Sequence, residues 1–484
     1  MAHLGGRWEM GGASPVAMKI AVIGGGWAGL SAAVTAVRQG HHVQLFEAAS
    51  ALGGRARTVH HPGLGAPIDN GQHILLGAYT ATLELMRSLG LSLEDSFHVL
   101  PLSVRSADGT LAMHAVPGLP APLHIAAGLL AARGLTWKEK SAALRLMHHL
   151  HRNNWHTPRE ATVQEWLALS LQPPRLQRLL WGPLCVATMN TPPEQACAQL
   201  FANVLRDSVG ASRREAGNML IPRRTLSELW PARVAELAEG GGLNPTGNGT
   251  LEIFNSATIR AIHAEFAEHT RVDSLGGRSA VHSQFHLDDL PQTFDSIVVC
   301  ANTPSTARLL ASLPSLPGTT DYLHNVQSFT HSPIATLTLQ FDQSVTLPSP
   351  MLLLHEDRQR GHFGQWLFQA QDKECRRLHI VVSDAQEMQS MERNTLLAKM
   401  TEQLQEQLRH TQLPRVQQHA LVMEKRATFL AVPGLKRPTN QTPWPGIWVA
   451  GDWTDTGYPG VLEGAVRSGR DAALQMDTAL RQSS

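Results

Sequence analysis

The chain has 484 residues, of which 43% are hydrophobic and 17% charged. This size and composition predict roughly two or three folded domains with large buried cores, and they exclude a chain dominated by disorder. The 41 basic residues are balanced by 40 acidic ones. We therefore expect no nucleic acid partner, because no excess of positive charge exists to bind phosphate backbones.

Nothing in the sequence predicts export or a transmembrane span. Residues 1–17 lack the hydrophobic stretch of a signal peptide, and we expect them to form a disordered N-terminal extension. No apolar run reaches the roughly 20 residues that a transmembrane helix needs. Adjacent histidine pairs point in different directions and predict solvent exposure rather than metal binding. The four cysteines are widely spaced, which predicts reduced thiols in a cytoplasmic protein and no metal site: Cys185, Cys197, Cys300 and Cys375.

The first elements predict a cradle for a dinucleotide. An apolar, β-branched run from Ile20 to Ile23 enters the turn Gly24-Gly25-Gly26-Trp27-Ala28-Gly29, which opens a helix ending near Gly40. We expect Gly24 to permit the tight turn and Gly26 to bring the backbone close to the pyrophosphate. Gly29 would then allow close packing between helix and strand, with the phosphates at the positive end of the helix.

The second predicted strand ends in an acid. Residues 43–46 deliver Glu47 at the spacing of the carboxylate that binds the adenosine ribose hydroxyls, and an acid here repels the 2′-phosphate of NADP. At this point FAD and NAD both stay open. A second glycine turn, Leu52-Gly53-Gly54-Arg55-Ala56, follows closely and gives a guanidinium reach to a phosphate or a flavin, which favours FAD.

The next segments differ in character. Tyr79, Leu83, Met86 and Leu89 share one face of a predicted helix that ends at Gly90. The segment 119–137 then contains an almost uncharged stretch from Leu119 to Ala132 and ends at Trp137, with basic residues around its end: Arg133, Lys138 and Lys140. This segment is too short to cross a membrane. It can lie at the inner face of the plasma membrane, and it can equally form a helical lid over an apolar pocket; the two interpretations are compatible.

The central part alternates helix and strand signals. The sequence Thr191-Pro192-Pro193-Glu194 predicts a helix start, with Thr191 as N-cap and Glu194 completing a capping box. Alternating and apolar runs predict the remaining strands: 253–262, 280–287, 296–301, 336–341 (half-buried), 377–383 and 420–429. A helix is predicted at 393–409, between the last two of these strands.

The C-terminal segment returns to the nucleotide-binding pattern. An apolar strand from Gly446 ends at Gly451 and Asp452, and residues 461–469 open a helix. A strand end places Asp452 at the carboxyl edge of the sheet, where ligands bind, and the helix offers backbone amides to the flavin end. The cradle and this segment together predict a cofactor held between the two ends of the chain.

These motifs resemble those of the amine oxidase and phytoene desaturase superfamily of flavoproteins. Within it, three stretches are similar to the hydroxysqualene dehydroxylases, also described as squalene-associated FAD-dependent desaturases: residues 69–79 (DNGQHILLGAY), 183–185 with 190–194, and 450–457 (AGDWTDTG). The following residues, Tyr458-Pro459-Gly460, depart from the family's pattern, and we expect them to affect packing near the flavin.

The resemblance implies an α/β fold (α+β overall). A Rossmann-like FAD-binding domain, discontinuous in sequence, would occupy 18–90, 216–315 and 433–484. A substrate domain of mixed sheet and helices would occupy 91–215, with the helical lid, and 316–432. The resemblance also implies a set of FAD-binding residues that includes those named above: Gly24, Gly26, Trp27, Ala28, Gly29, Glu47, Gly54, Arg55, Gly71, Gln72, Ile259, Gly451, Asp452 and Leu462.

The implied reaction removes the hydroxyl of hydroxysqualene, an apolar isoprenoid, with electrons that an external donor supplies through the flavin. Such a reaction needs a proton for the leaving hydroxyl and a dry setting for the developing carbocation. The candidates for acid or electrostatic partner are Asp69, His73 and Asp455. Both aspartates could equally accept backbone hydrogen bonds in their turns.

Three other functions stay open. The chain could be a carotenoid or phytoene-type desaturase, which oxidises its polyene, another oxidase of the superfamily, or a non-catalytic FAD-bound carrier of prenyl lipids. Many amine oxidases use a lysine near flavin N5, yet there is no lysine between Lys140 and Lys373. The chain also has only 3 tyrosines, too few to favour an aromatic cage for an amine.

Overall fold

The computed structural model describes residues 17–245, 247–266, 271–272, 278–279, 283–288, 290–370, 374–408 and 413–483. Apart from Ala17, the expected N-terminal extension lies outside the described residues. The fold is α/β, with two five-stranded sheets and the helices that cover them. Within the described part of the chain, no helix is long and apolar enough to cross a membrane.

The first sheet, here called the nucleotide sheet, is parallel throughout. Its strand order is Thr250–Phe254, His42–Phe46, Lys19–Ile23, Ser296–Val299 and Ile447–Val449. The central strands read as continuous apolar runs because both faces are covered, and Ile20, Val22 and Val298 are fully buried. Strands from the start, middle and end of the chain therefore form one sheet, as expected for a domain that is discontinuous in sequence.

Two long helices pack against this sheet and against each other. Trp27–Arg38 and Leu462–Ser483 share one hydrophobic cluster with the nucleotide strands. A Cβ at Gly469 would come within 2.0 Å of the Ala28 carbonyl oxygen, so the two helix backbones meet directly. The same cluster includes residues of four shorter helices: Thr80–Ser88, Leu93–Ser96, Leu226–Leu229 and Pro231–Glu239.

The second sheet, the substrate sheet, is antiparallel, with the order Met351–Leu353, Trp366–Gln369, Arg377–Ser383, His331–Phe341 and Val416–Phe429. Helix Arg393–Gln407 packs on one face. The strand predicted as half-buried at 336–341 is covered on both faces. Its leucines contact that helix, and Thr338, on the other face, is buried and bonded to the imidazole of His379 at 2.9 Å.

Two local predictions were wrong. No helix begins at Thr191; the next one starts at Ala198. The Thr191 hydroxyl instead donates to the Met189 carbonyl (3.0 Å) and accepts from the Ala431 amide (3.2 Å), which anchors the segment to the end of the substrate sheet. The single strand predicted at 253–262 is two strands, Thr250–Phe254 and Ile262–Glu265, because the chain turns out of the nucleotide sheet at Ser256 (φ 56°).

The remaining helices surround the substrate sheet or connect the sheets. They are Leu123–Ala131, Trp137–Arg152, Val163–Leu169, Pro174–Leu176, the π-helix Gln177–Trp181, Gly182–Met189, Ala198–Asp207, Thr303–Leu310, Thr319–Gln327 and the 3-10 turns Arg214–Gly217, Arg358–Arg360 and Glu387–Ser390. The short strands are Thr58–Val59, Ile68–Asp69, Leu75–Leu76, Phe97–Leu100, Ser103–Arg105, Ala112–His114, Met219–Pro222, Arg271–Val272, Arg278–Ser279 and Gln284–Leu287.

Candidate active site

The glycine turn follows the first strand directly and opens the first helix. Gly24 has φ 110°, a conformation that L side chains rarely adopt, and a Cβ there would lie 2.7 Å from the Cys300 carbonyl oxygen. Helix Trp27–Arg38 begins with no capping side chain and no acidic residue in its first turn. An uncapped helix start leaves backbone amides and a positive dipole end for a pyrophosphate.

Glu47 lies at the end of the second strand, where its carboxylate holds the turn. One oxygen accepts from the Gly25 amide at 2.6 Å and the other from the Ala49 amide at 2.7 Å. The residue is 8% exposed and lines the same cleft as the glycine turn. The acid therefore stands beside the turn, as the spacing predicts, and it also fixes the conformation of the backbone around it.

Arg55 joins three distant parts of the chain. Its guanidinium donates to Asp452 at 2.5 Å and to the Ala427 carbonyl at 2.6 Å. It is positioned by Gly54, where a Cβ would lie 3.0 Å from the Gly26 Cα, so the second glycine turn lies directly against the first. The sequence prediction that the N-terminal cradle and Asp452 come together agrees with this geometry, and the ion pair is a contact that the prediction did not include.

A cleft of about 830 Å³ runs along these groups between the two sheets. Its lining fits FAD, because it includes the uncapped helix start, the carboxylate of Glu47 and residues of the substrate sheet. Gly29 lies behind it, since a Cβ there would meet the Gly24 oxygen at 1.8 Å. The other expected FAD-binding residues all line the cleft: Gly24, Gly26, Trp27, Ala28, Glu47, Gly54, Arg55, Gly71, Gln72, Ile259, Gly451, Asp452 and Leu462.

The three catalytic candidates are not brought together. Asp69 lies outside the cleft lining, and its Oδ1 accepts from the Leu226 amide (2.9 Å) and the Thr58 hydroxyl (3.1 Å). Burial raises the pKa of Asp69 to about 6. Asp455 is exposed at the surface and lines neither the cleft nor the neighbouring pocket.

His73 is the candidate that does line the cleft. Its Nδ1 lies 2.7 Å from the Gly71 carbonyl oxygen, a geometry that requires a proton on Nδ1 and leaves Nε2 as an acceptor in the neutral ring. Burial lowers the pKa of His73 below its ordinary value; the hydrogen bond to Gly71 opposes this shift, and the repulsion from Arg55 adds to it. At neutral pH the ring is therefore uncharged and has no second proton to donate.

Several lining residues were missed. The fourth strand of the nucleotide sheet ends at Val299, and Asn302 then caps helix Thr303–Leu310; both Asn302 and Ser305 line the cleft. A buried strand followed by an N-cap residue is a signal that could have identified them. Residues 423–428 of the substrate sheet also line the cleft, and no local pattern marks them because tertiary packing places them there.

One of these missed residues is a lysine. Lys425 lies in the last strand of the substrate sheet, is exposed, and lines the cofactor cleft. The absence of lysine between residues 140 and 373 therefore does not remove lysine from this cleft. The shortage of lysine in the sequence therefore does not exclude an amine oxidase.

An apolar pocket adjoins the cleft. Residues from the substrate sheet, from several short strands and from the helical layer line it, and its described lining contains no Asp, Glu, His, Lys or Arg. Seven residues line both the pocket and the cleft, so the two spaces meet: Gln72, Ile74, Tyr79, Ala187, Thr188, Val381 and Ser383. A ligand in the pocket would reach the cofactor at this junction.

The segment 119–137 lies over the pocket. Helix Leu123–Ala131 directs Ile125 and Leu129 into the pocket lining. Its outer side exposes Leu123 and Leu130, and Trp137 beyond it is 72% exposed. The helix thus forms part of the pocket wall, the position that the lid interpretation expects, and an apolar surface faces outward from the same segment.

The departure from the family pattern at 458–460 has a clear structural setting. The Tyr458 hydroxyl donates to Asp207, and the guanidinium of Arg467 lies 5.0 Å from the centre of its ring. Burial raises the pKa of Tyr458 to about 12. Gly460 lines the cleft, where a Cβ would lie 2.8 Å from the Thr428 Cβ. The tripeptide therefore ties the C-terminal helix to helix Ala198–Asp207 beside the cleft.

One cluster has metal-ligand composition. Ligand atoms of His362, Glu402 and Glu406 lie within 4.8 Å of one another. Arg360 already donates to both glutamates, at 3.2 Å to Glu402 and 2.5 Å to Glu406. A cation would have to displace this guanidinium, so the cluster is an ion-pair network.

The fold and the cleft define an FAD-dependent oxidoreductase. A parallel nucleotide sheet, an uncapped glycine-turn helix and an adjoining substrate sheet enclose the cofactor site between them. The model of the family described as flavin containing amine oxidoreductase matches residues 27–476, and the chain belongs to this family.

Individual relatives are more distant. The chain is similar to the hydroxysqualene dehydroxylase of Zymomonas mobilis, with 25% identity over 93% of this chain and 97% of the relative. It is also similar to the 15-cis-phytoene desaturase of Synechococcus elongatus, with 22% identity over 94% of each chain. Cyclohexylamine oxidase from Brevibacterium oxydans has the same fold, with a TM-score of 0.64, 17% identity and coverage of 96% of this chain and 100% of that one.

Proposed function

We propose that this enzyme removes the hydroxyl group of hydroxysqualene and releases squalene and water. The observation that carries the proposal is the apolar pocket that opens onto the cofactor cleft. A pocket without charged groups suits an isoprenoid chain, and the junction keeps a few polar groups for a single hydroxyl. The similarity to hydroxysqualene dehydroxylases supports this choice of substrate.

The reaction divides into tasks that the cofactor cleft and the apolar pocket can perform. When bound, a reduced flavin supplies the hydride that replaces the hydroxyl. The chain must hold the reacting carbon at the junction, keep water from the developing positive charge and deliver a proton to the leaving oxygen. The uncharged pocket lining serves the first two tasks.

The pocket must also open. Its volume of about 260 Å³ is below the roughly 300 to 1,000 Å³ of pockets for drug-sized ligands. A long isoprenoid therefore either displaces the lid or extends past it. Because the lid carries exposed Leu123, Leu130 and Trp137 on its outer side, we propose that it docks on the membrane surface from which the substrate comes. The nearby basic residues Arg133, Lys138 and Lys140 suit anionic headgroups.

The assay for the proposed reaction uses the purified holoenzyme. Incubation with hydroxysqualene and a flavin-reducing system without oxygen should give squalene, measured by gas chromatography. A preparation that contains FAD and forms no squalene would contradict the proposal.

A phytoene-type desaturase is the second candidate, because the same uncharged pocket suits a hydrocarbon polyene and a phytoene desaturase is among the relatives. Incubation with phytoene and an electron acceptor separates the two. New conjugated double bonds absorb visible light, so the appearance of colour would favour desaturation, and its absence together with squalene formation would favour dehydroxylation.

A further inference from the structure

The junction between cleft and pocket holds few polar side chains. Of the residues that line both spaces, Gln72, Tyr79, Thr188 and Ser383 carry polar groups. The Thr188 hydroxyl already donates to the Leu184 carbonyl at 2.8 Å. Of these four, the side chains of Gln72, Tyr79 and Ser383 have no hydrogen-bond partner among the described residues, so they are available to a ligand.

Tyr79 is held in place by its backbone. Its amide donates to the Leu76 carbonyl at 2.9 Å, and its carbonyl accepts from the Leu83 amide at 3.0 Å, at the start of helix Thr80–Ser88. Burial raises the pKa of the phenol, and the nearby Glu463 raises it further. The hydroxyl therefore keeps its proton throughout the range from about pH 6 to 9 and can act as a donor there.

Tyr79 is the one titratable side chain on the described lining of the apolar pocket. Each of the other candidates for the proton donor either lies away from the cleft and the pocket or has no proton to donate. Asp69 and Asp455 line neither space, and the bond from His73 to the Gly71 carbonyl uses its only ring proton. Position and protonation together select the phenol.

On the basis of the proposed function, we propose that the Tyr79 hydroxyl binds the hydroxyl oxygen of the substrate and gives it a proton as the C–O bond breaks. The oxygen leaves as water, and the carbon takes the hydride that a bound reduced flavin would supply at the cost of its own oxidation. Solvent then returns a proton to the phenolate. Since the phenolate is disfavoured here, proton transfer and C–O cleavage would occur together.

Ligand binding without turnover gives the first test. Trp181 and Trp366 line the pocket, so quenching of tryptophan fluorescence can report binding to the protein with oxidised FAD. The wild-type enzyme should bind hydroxysqualene about tenfold more tightly than squalene, the value of one hydrogen bond to an otherwise unpaired donor. Tyr79→Phe should remove this preference and leave the affinity for squalene unchanged.

The rate gives the second test. Tyr79→Phe should lower the rate of squalene formation at least 100-fold, as expected for loss of a positioned proton donor. Tyr79→Gln keeps a hydrogen-bond donor that cannot transfer its proton, so it should keep the binding preference and lose the rate. The matched control is Tyr322→Phe, which removes a buried hydroxyl that has no partner among the described residues and lines neither space.

The outcomes are distinct. Tyr79→Phe with a full complement of FAD and a rate within threefold of wild type would overturn proton transfer, and so would Tyr79→Gln with near wild-type rate. An unchanged preference for hydroxysqualene in Tyr79→Phe would overturn recognition of the hydroxyl. If wild-type enzyme forms no squalene, the proposed function fails, whereas the binding comparison still tests hydroxyl recognition by Tyr79.

Discussion

The cofactor cleft and the apolar pocket adjoin, yet the sequence specifies them in different ways. The cleft depends on backbone conformation at closely spaced positions, such as the positive φ of Gly24 and the contact between Gly26 and Gly54. The pocket is built from side chains of separate helices and strands with no shared motif. A short sequence pattern can therefore identify the cofactor, whereas the substrate depends on packing over the whole chain.

If the cleft depends on backbone approach, the smallest added side chain should break it. Gly29→Ala places a Cβ 1.8 Å from the Gly24 carbonyl oxygen and 3.2 Å from the Cys300 Cβ. Both neighbours are fixed by the sheet, so we expect the variant to lose nearly all FAD or to be insoluble. The ratio of flavin to protein absorbance measures this.

The matched control is Gly65→Ala, where no heavy atom lies within 4 Å of the added Cβ. It should bind FAD as the wild type does. A soluble Gly29→Ala protein with full FAD content would show that the turn tolerates a Cβ, and would contradict this account of the cleft.

If the pocket depends on side chains, neighbouring residues of the lid should have different effects. Leu129 is 6% exposed and lines the pocket, whereas Leu130 is 40% exposed on the outer side. Leu129→Asp should lower activity about 100-fold while FAD stays bound, because a carboxylate in the pocket is costly and opposes an apolar substrate. Activity measured in detergent with saturating substrate checks this.

Leu130→Asp is the counterpart. It should leave the enzyme activity in detergent near that of the wild type, because it alters only the outward surface. It should also reduce co-sedimentation of the protein with vesicles of anionic phospholipid. Unchanged co-sedimentation would mean that the segment is a lid without a membrane contact. An equal loss of enzyme activity in detergent in both variants would contradict the structure, in which Leu129 faces the pocket and Leu130 faces outward.

The same contrast explains which predictions succeeded. The parallel nucleotide sheet was predicted from the strand, turn and acid at residues 20–47 and from the strand before Asp452, because each signal is local. Local signals failed where distant contacts decide, as at Thr191, whose hydroxyl bonds to the substrate sheet instead of capping a helix. The lining by residues 423–428 could not be predicted, since only the packing of the two sheets brings them to the cofactor.

The ion pair between Arg55 and Asp452 lies where the N-terminal and C-terminal segments meet. A substitution of Arg55 therefore tests whether FAD binding in the cleft depends on side chains as well as on backbone conformation. Arg55→Lys keeps the charge, but a single ammonium cannot reach both Asp452 and the Ala427 carbonyl as the guanidinium does. We expect FAD to bind about tenfold more weakly, measured by titration of the apoprotein.

Arg470→Lys is the control for this substitution. Arg470 is 41% exposed, close to the 38% of Arg55, and its ion pair with Asp471 lies outside the cleft. The control should bind FAD normally. Equal FAD affinity in both variants and the wild type would show that FAD binding does not need the two hydrogen bonds of the Arg55 guanidinium.

Asp69 should give the smallest effect, because it stands outside both regions. Its carboxylate caps the backbone at Leu226, and Asp69→Asn keeps an oxygen that can accept the same hydrogen bond. We expect activity within threefold of wild type. A loss of activity near 100-fold, with FAD retained, would instead support a catalytic role for Asp69.

The stability of this variant should depend on pH in a defined direction. The pKa of Asp69 is about 6 in the folded protein and about 4 when unfolded, so the folded state holds more protons between these values. The wild type therefore loses stability as pH rises from about 4 to 6, and Asp69→Asn does not undergo this loss. The thermal midpoint of the variant minus that of the wild type should rise by about 1 to 2 °C over this window and stay constant above it. A constant difference across the window would mean that burial does not raise the pKa of Asp69 in the folded protein.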